Sequence, residues 1–533
     1  MKPLVLSPRP QRPAPSPPTG LDAARCYQAM AQRDAAWDGL FFTGVSSTGI
    51  YCRPVCRVKL PQAKNCLFFE TAAQAESQGF RPCLRCRPEL APARRYWSTT
   101  DAGEVAAQYV AKQLQSAIQR GGKPPSMVHL AAQLGVSDRH LRRMFQRHWR
   151  VSPLQYLQTQ RLLQAKQWLH DSPLSVAQVA HASGFGSARR MYAAFAQHYQ
   201  LSPGQLRPKA AVSPAPAPAP GPQTLASALD LRLHYRPPFQ IEALCAFFQA
   251  RALSGMETWL GDGPLPIWRR SLRWPHGPEE IHGWLQLQWD SKQPCIHLRA
   301  SPSLLPVLPA LVAQVRDCLD LDADPAGIAK VLGGDFPHAL GLRLPGGLDG
   351  FELAVRAILG QQISVKAART LGQRLLQALG QSCTTPWPEV NRLFPTPERL
   401  ACEDSAAIMG SLGVVSQRQK AIQAVARAVL SGQLDLSPQA RLEPTLAALM
   451  ALPGIGPWTA QYLAMRALRW ADAWPVQDVA LQTALGVRQH PQASQALEAM
   501  GQTWRPYRSY ALIAAWQRLT TPPTPPTPPD TRP

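Results

Sequence analysis

Two cysteine pairs near the N-terminus, Cys52-Arg-Pro-Val-Cys56 and Cys83-Leu-Arg-Cys86, constrain this chain more than any other feature. Each pair is spaced to chelate one ion, and the segment between them is long enough to bring the pairs together. Four thiolates suit a tetrahedral Zn2+, so Cys52, Cys56, Cys83 and Cys86 are expected to hold one zinc. The chain has 11 cysteines, six of them between Cys26 and Cys86. An odd count with a local cluster does not describe a secreted disulfide framework; in a reducing compartment it describes a metal site. Cys26 and Cys66 have no partner in the pattern and are expected as core or surface thiols.

The formal net charge of +22 over 533 residues calls for a polyanionic partner. Nucleic acid is the default and an anionic membrane surface the rival. No run approaches the ~18 apolar residues of a spanning helix. Residues 1–20 are rich in proline without an apolar core, unlike a secretory signal, so a cytoplasmic, nucleoid-associated protein without a membrane partner is expected.

The pattern along the chain predicts a multidomain, mainly α protein. A disordered tail (1–20) precedes a small zinc-bound α+β domain (21–97) and an all-α double helix-turn-helix domain (103–208). A Pro/Ala linker (209–228) leads into an α+β subdomain (229–345), an α-helical helix-hairpin-helix domain (346–518) and a disordered Thr/Pro tail (519–533).

Within 103–208 there are 13 Lys or Arg against three acids. Leu130-Ala131-Ala132-Gln133-Leu134-Gly135-Val136-Ser137 is echoed by Val179-Ala180-His181-Ala182-Ser183-Gly184-Phe185-Gly186-Ser187, and each unit ends in Ser-Pro. Helix, glycine turn, then a basic helix is a helix-turn-helix. The doubled unit resembles the AraC-type DNA-binding domain. That resemblance implies promoter DNA and RNA polymerase as partners, with Arg139, Arg142, Arg143, Arg189 and Arg190 as phosphate or base contacts.

The words around the cysteines carry a second resemblance. Phe41-Phe42-Thr43-Gly44-Val45, Thr48-Gly49-Ile50-Tyr51-Cys52 and Gly79-Phe80-Arg81-Pro82-Cys83 resemble the N-terminal domain of bacterial Ada proteins. The resemblance implies that Cys52 accepts a methyl group from a DNA methylphosphotriester. A thiolate is the nucleophile such a transfer needs, and a bound zinc keeps it deprotonated. Loss of one negative charge on methylation should then raise affinity for DNA. No Pro-Cys-His-Arg of an alkylguanine transferase occurs, so that activity is expected to be absent.

The C-terminal half centres on Leu452-Pro453-Gly454-Ile455-Gly456-Pro457-Trp458. Gly454 and Gly456 allow a sharp turn close to a ligand, and the helix starting near Pro457 aims its free N–H groups at a phosphate. With Tyr235-Arg236-Pro237-Pro238-Phe239 and Gly350-Phe351-Glu352-Leu353, the stretch resembles AlkA, a 3-methyladenine DNA glycosylase of the helix-hairpin-helix superfamily. The resemblance implies Asp478 as the catalytic carboxylate and Trp458, Tyr462 and Trp516 as walls for a flipped base. Gln362 stands where the family inserts a leucine into DNA, and the hairpin carbonyls are a candidate monovalent-cation site. Relatives that also cut the strand carry a lysine where Trp458 stands, so a monofunctional glycosylase is expected. Asp472 is the nearest rival carboxylate. The competing reading is a transcription factor whose glycosylase half only binds DNA.

Overall fold

The computed structural model describes residues 21–34, 37–91, 102–119, 124–172, 174–207, 228–261, 265–276 and 279–520. The expected N-terminal tail, the expected C-terminal tail beyond Thr520 and nearly all of the expected linker lie outside these residues; Leu519 and Thr520, placed in the tail from the sequence, instead end the helix Arg508–Thr520. No described helix is long and apolar enough to cross a membrane.

The N-terminal module is a helix, Ala23–Gln32, beside a four-stranded sheet ordered Cys66–Phe69, Phe42–Val45, Ile50–Cys52, Arg81–Pro82. The first three strands are antiparallel and the last pairs parallel to Ile50–Cys52. Phe42, Tyr51, Phe69 and Phe80 fill one face. Strand alternation turns Tyr51 into that core and leaves Cys52 at the strand end.

Two helix pairs follow, Met127–Gln133 with Asp138–Trp149 and Val176–Ala182 with Ala188–Tyr199. Ser126, Ser137, Ser175 and Ser187 cap the four helices through their hydroxyls. Gly135 and Gly184, at φ +67 and +72, make the turns. The Ser-Pro pairs open the next element instead of closing a unit: Ser152 caps the helix Pro153–Asp171, with proline at its first position.

The zinc module is bolted to this domain. Glu76 Oε1 accepts from the hydroxyls of Tyr51 and Tyr199, both at 3.0 Å, and Oε2 accepts from Thr159 at 2.7 Å. Arg87 bonds Asp171, and Lys166 pairs with Glu89. The stem of Glu76 is partly exposed but both carboxylate oxygens face inward. Burial pushes its carboxyl up to about 7, against the opposing hydrogen bonds from Thr159, Tyr199 and Tyr51. The folded state therefore holds this proton more tightly than the unfolded chain. The associated stability, up to about 3 kcal/mol, is complete below the ordinary carboxyl range and lost as pH rises through about 7. The melting temperature of the N-terminal half should fall between pH 5 and pH 8 on this account. Glu76→Gln should flatten that slope; an unchanged slope would assign the titration elsewhere.

The second half begins with a five-stranded antiparallel sheet ordered Leu229–His234, Cys295–Ala300, Glu279–Trp289, Ile267–His276, Glu257–Leu260. Helices Ile241–Gln249 and Leu308–Cys318 contribute to its core. The helical remainder forms two cores. One gathers Gly350–Leu359, Ser416–Leu430 and the start of Pro457–Arg466; the other gathers Pro325–Leu332, Ala493–Gly501 and Arg508–Thr520. Tyr462 packs against both. The fold is thus multidomain and rich in helix, as expected, with a sheet subdomain ahead of the helical one.

Candidate functional site

Between the two helical cores opens a cleft of about 1190 Å³, lined among others by Trp458, Tyr462, Asp478, Trp516, Phe247 and Arg466. The hairpin positions the first two. Gly454 has φ +77, and a Cβ there would meet the Ala421 Cβ at 2.9 Å, so both backbone and packing demand glycine. Gly456 is different: it is extended, caps the helix Pro457–Arg466, and has nothing within 4 Å of its Cβ position. Its value is an open approach to the helix N-terminus.

Trp458 and Tyr462, one turn apart, stack with centroids 5.2 Å apart and planes 13° from parallel. Tyr462 also meets Trp516 at 6.4 Å. Asp478 is buried and caps the helix Val479–Ala484, its Oδ1 accepting from the Leu481 N–H at 2.6 Å. The Trp458 indole N–H donates to Oδ2 at 2.6 Å and the Trp516 indole N–H to Oδ1 at 3.2 Å. Three neutral donors thus fix the carboxylate, and no salt bridge neutralises it among the described residues. Asp472 instead pairs with Arg508 at 2.8 and 2.9 Å.

Two further residues bear on the cleft and were not singled out in the sequence. Arg466 donates to the Tyr462 hydroxyl at 2.6 Å while tied to the carbonyls of Pro345 and Gly346. Burial would raise the Tyr462 phenol, but Arg466, Arg251 and Arg356 outweigh it and hold it below its ordinary value. Gln361 binds the Gly454 carbonyl at 2.9 Å and Thr459 Oγ1 at 3.0 Å, joining the Gln362 loop to the hairpin. That bond takes up one hairpin carbonyl. Gln362 itself is exposed at φ 56, a backbone region an L-residue occupies only when held there.

At the other end of the chain the four sulfurs of Cys52, Cys56, Cys83 and Cys86 all lie within 4.8 Å of one another. The Arg53 backbone N–H donates to Cys86 Sγ at 3.3 Å. The influences on Cys52 are the other three sulfurs, Cys56 first, and then burial; together they push its thiol up. Sulfurs this close cannot all be thiolate unless a cation compensates them, and a four-coordinate zinc does so. The donor set therefore fits zinc.

The arginines of the helix-turn-helix pairs sit on exposed faces of Asp138–Trp149 and Ala188–Tyr199. Arg139, Arg189 and Arg190 are exposed; Arg142 is engaged with Asp138 at 3.0 Å and Arg143 contacts His140 at 3.0 Å.

Comparison with known proteins matches these parts in order. Residues 25–89 match the metal binding domain of Ada and residues 130–209 a helix-turn-helix domain. Residues 230–349 match the AlkA N-terminal domain, and 355–506 the HhH-GPD superfamily of base excision DNA repair proteins. A Mycobacterium tuberculosis protein described as a "probable bifunctional transcriptional activator/DNA repair enzyme AlkA" is 36% identical over 94% of this chain and 97% of its own length. DNA-3-methyladenine glycosylase 2 of Escherichia coli is 34% identical over 53% of this chain and 95% of its own. The regulatory protein Ada of Salmonella typhimurium is 31% identical over 31% of this chain and 44% of its own. With a four-cysteine zinc domain of the Ada type, an AraC-type helix-turn-helix and an HhH-GPD glycosylase domain in one polypeptide, the chain belongs to the family of bifunctional transcriptional activator/DNA repair enzymes of the AlkA type.

Proposed function

We propose that this protein excises N-alkylated bases such as 3-methyladenine from duplex DNA as a monofunctional glycosylase. Its zinc-bound Cys52 accepts methyl from DNA methylphosphotriesters, and its helix-turn-helix then regulates promoters of the alkylation response. The observation that carries the reading is the Asp478 carboxylate, paired with no cation among the described residues and clamped by two indole N–H groups in the lining of an aromatic cleft.

The chemistry follows from that arrangement. A flipped base enters the cleft against Trp458, Tyr462 and Trp516, where stacking favours an electron-poor alkylated ring. N-alkylation already makes the base a cationic leaving group, so the C1′–N bond can break without a proton donor. Asp478 stabilises the oxocarbenium character at C1′ and orients the water that attacks it. Gln362, exposed on its left-handed turn, is suited to fill the gap in the stack. Gly454 and Gly456 with the following helix grip the backbone, and Arg139, Arg142, Arg143, Arg189 and Arg190 hold promoter DNA. A monovalent cation at the hairpin carbonyls would strengthen the phosphate grip.

Incubation with methylated duplex tests the reaction type. Free 3-methyladenine should appear, the abasic strand should remain uncut, and borohydride should trap no covalent adduct, because no lysine stands at position 458. Trapping of an adduct would overturn the monofunctional assignment. Absence of base release would leave the glycosylase half as a DNA-binding element alone.

A further inference from the structure

The two halves of the chain are joined in sequence by a proline- and alanine-rich segment, yet their packing crosses it. Arg236 of the glycosylase half is fully buried at 0% exposure. Its Nε donates to the backbone carbonyl of Asp38, in the zinc module, at 3.1 Å. Its Nη1 lies 3.5 Å from the Ala323 carbonyl and 3.4 Å from Asp324 Oδ1, within its own half. One guanidinium is therefore shared between the two halves. The Asp38 carboxylate in turn binds Arg53, the residue after Cys52. Arg53 donates its backbone N–H to Cys86 Sγ at 3.3 Å and its Nη1 to the Cys86 carbonyl at 3.1 Å.

Apolar packing runs across the same seam. Phe185, Phe195 and Tyr199 of the second helix-turn-helix unit belong to one continuous core with Leu231, Leu285 and Leu298 of the five-stranded sheet. His234, at the end of the strand Leu229–His234, is pushed down to about 4 by burial first and then by Arg53. Burying a guanidinium is costly unless acceptors converge on it, and here they come from both sides of the seam. A glycosylase half built to swing freely would have no use for a buried arginine whose acceptor belongs to another domain.

We propose that the zinc module and the glycosylase half dock permanently through a joint centred on Arg236, Asp38 and Arg53. The sensor and the cleft then travel as one body, and the joint, not the linker, sets the effective concentration of one at the other's DNA.

The test uses the full chain with a protease site inserted in the 209–227 segment. After cleavage the wild-type halves should co-elute in size-exclusion chromatography at micromolar concentration. Arg236→Lys, which keeps the charge but loses the planar fork, should weaken their association at least tenfold while 3-methyladenine release persists. Should that variant fail to fold, Asp38→Asn weakens the ion pair with Arg53 that holds the Asp38 carbonyl in place for Arg236, and should weaken the association in the same direction. Separation of the wild-type halves on cleavage would overturn the proposal. So would halves that associate as tightly in the folded variant as in the wild type.

Discussion

Asp478→Asn should reduce 3-methyladenine release on the order of a thousandfold while leaving the protein folded and able to bind DNA. The two side chains are nearly isosteric, and asparagine caps a helix about as well as aspartate, so the helix Val479–Ala484 should keep its start. The geometry makes the loss predictable. If the amide keeps its oxygen on the Leu481 and Trp516 donors, its NH2 faces the Trp458 indole N–H, donor against donor. Loss of charge weighs more. Among the described residues the carboxylate meets three neutral donors and no salt-bridge partner, so its negative charge is available to the sugar as positive charge develops at C1′. A thousandfold loss corresponds to about 4 kcal/mol of transition-state stabilisation. Single-turnover base release, with DNA affinity measured in parallel, separates this from a binding defect. Equal release by wild type and variant would remove Asp478 from the chemistry.

The elements legible in the sequence are those whose cause is local. Gly454 must take φ +77, Pro457 opens a helix, and serines precede each helix of the doubled unit, so the hairpin and both helix-turn-helix units are visible from residue type and spacing. What escapes is set by contacts distant in sequence. The strand Ile267–His276 interleaves Trp268, Leu272 and Trp274 with Arg269, Arg270 and Arg273 and so lacks an apolar run. Arg270 is nonetheless buried, because Glu352, 82 positions on, pairs with it. Gln361 and Arg466 likewise gain meaning only when the hairpin and Tyr462 arrive beside them. Glu76 looks like a surface glutamate on a short helix until Tyr199 and Thr159 close over it. Cysteine spacing identifies a zinc site but does not rank its sulfurs. That ranking depends on which backbone N–H groups the folded loops aim at them.

Exposure to duplex DNA carrying methylphosphotriesters should place one methyl group on Cys52 and none on Cys56, Cys83 or Cys86, read by mass spectrometry of the digested protein. N–H groups that hydrogen-bond a thiolate draw off the electron density it needs to attack. Arg53 supplies such a bond to Cys86 at 3.3 Å, and none reaches the Cys52 sulfur among the described residues. Cys86 is the most exposed of the four, so accessibility alone would favour it; hydrogen bonding opposes that choice. In the transfer the Cys52 sulfur attacks the methyl carbon, the C–O bond breaks, and its electron pair stays on the phosphate as a restored diester anion. Cys52 becomes a neutral thioether, so the module loses one negative charge and the same DNA is repelled less. Promoter affinity should rise about tenfold at low salt and by less at high salt. Cys52→Ser should take up no methyl and show no gain, and removal of zinc by a chelator should abolish uptake by the wild type. A methyl on Cys83 or Cys86 would show that access, not sulfur nucleophilicity, selects the acceptor.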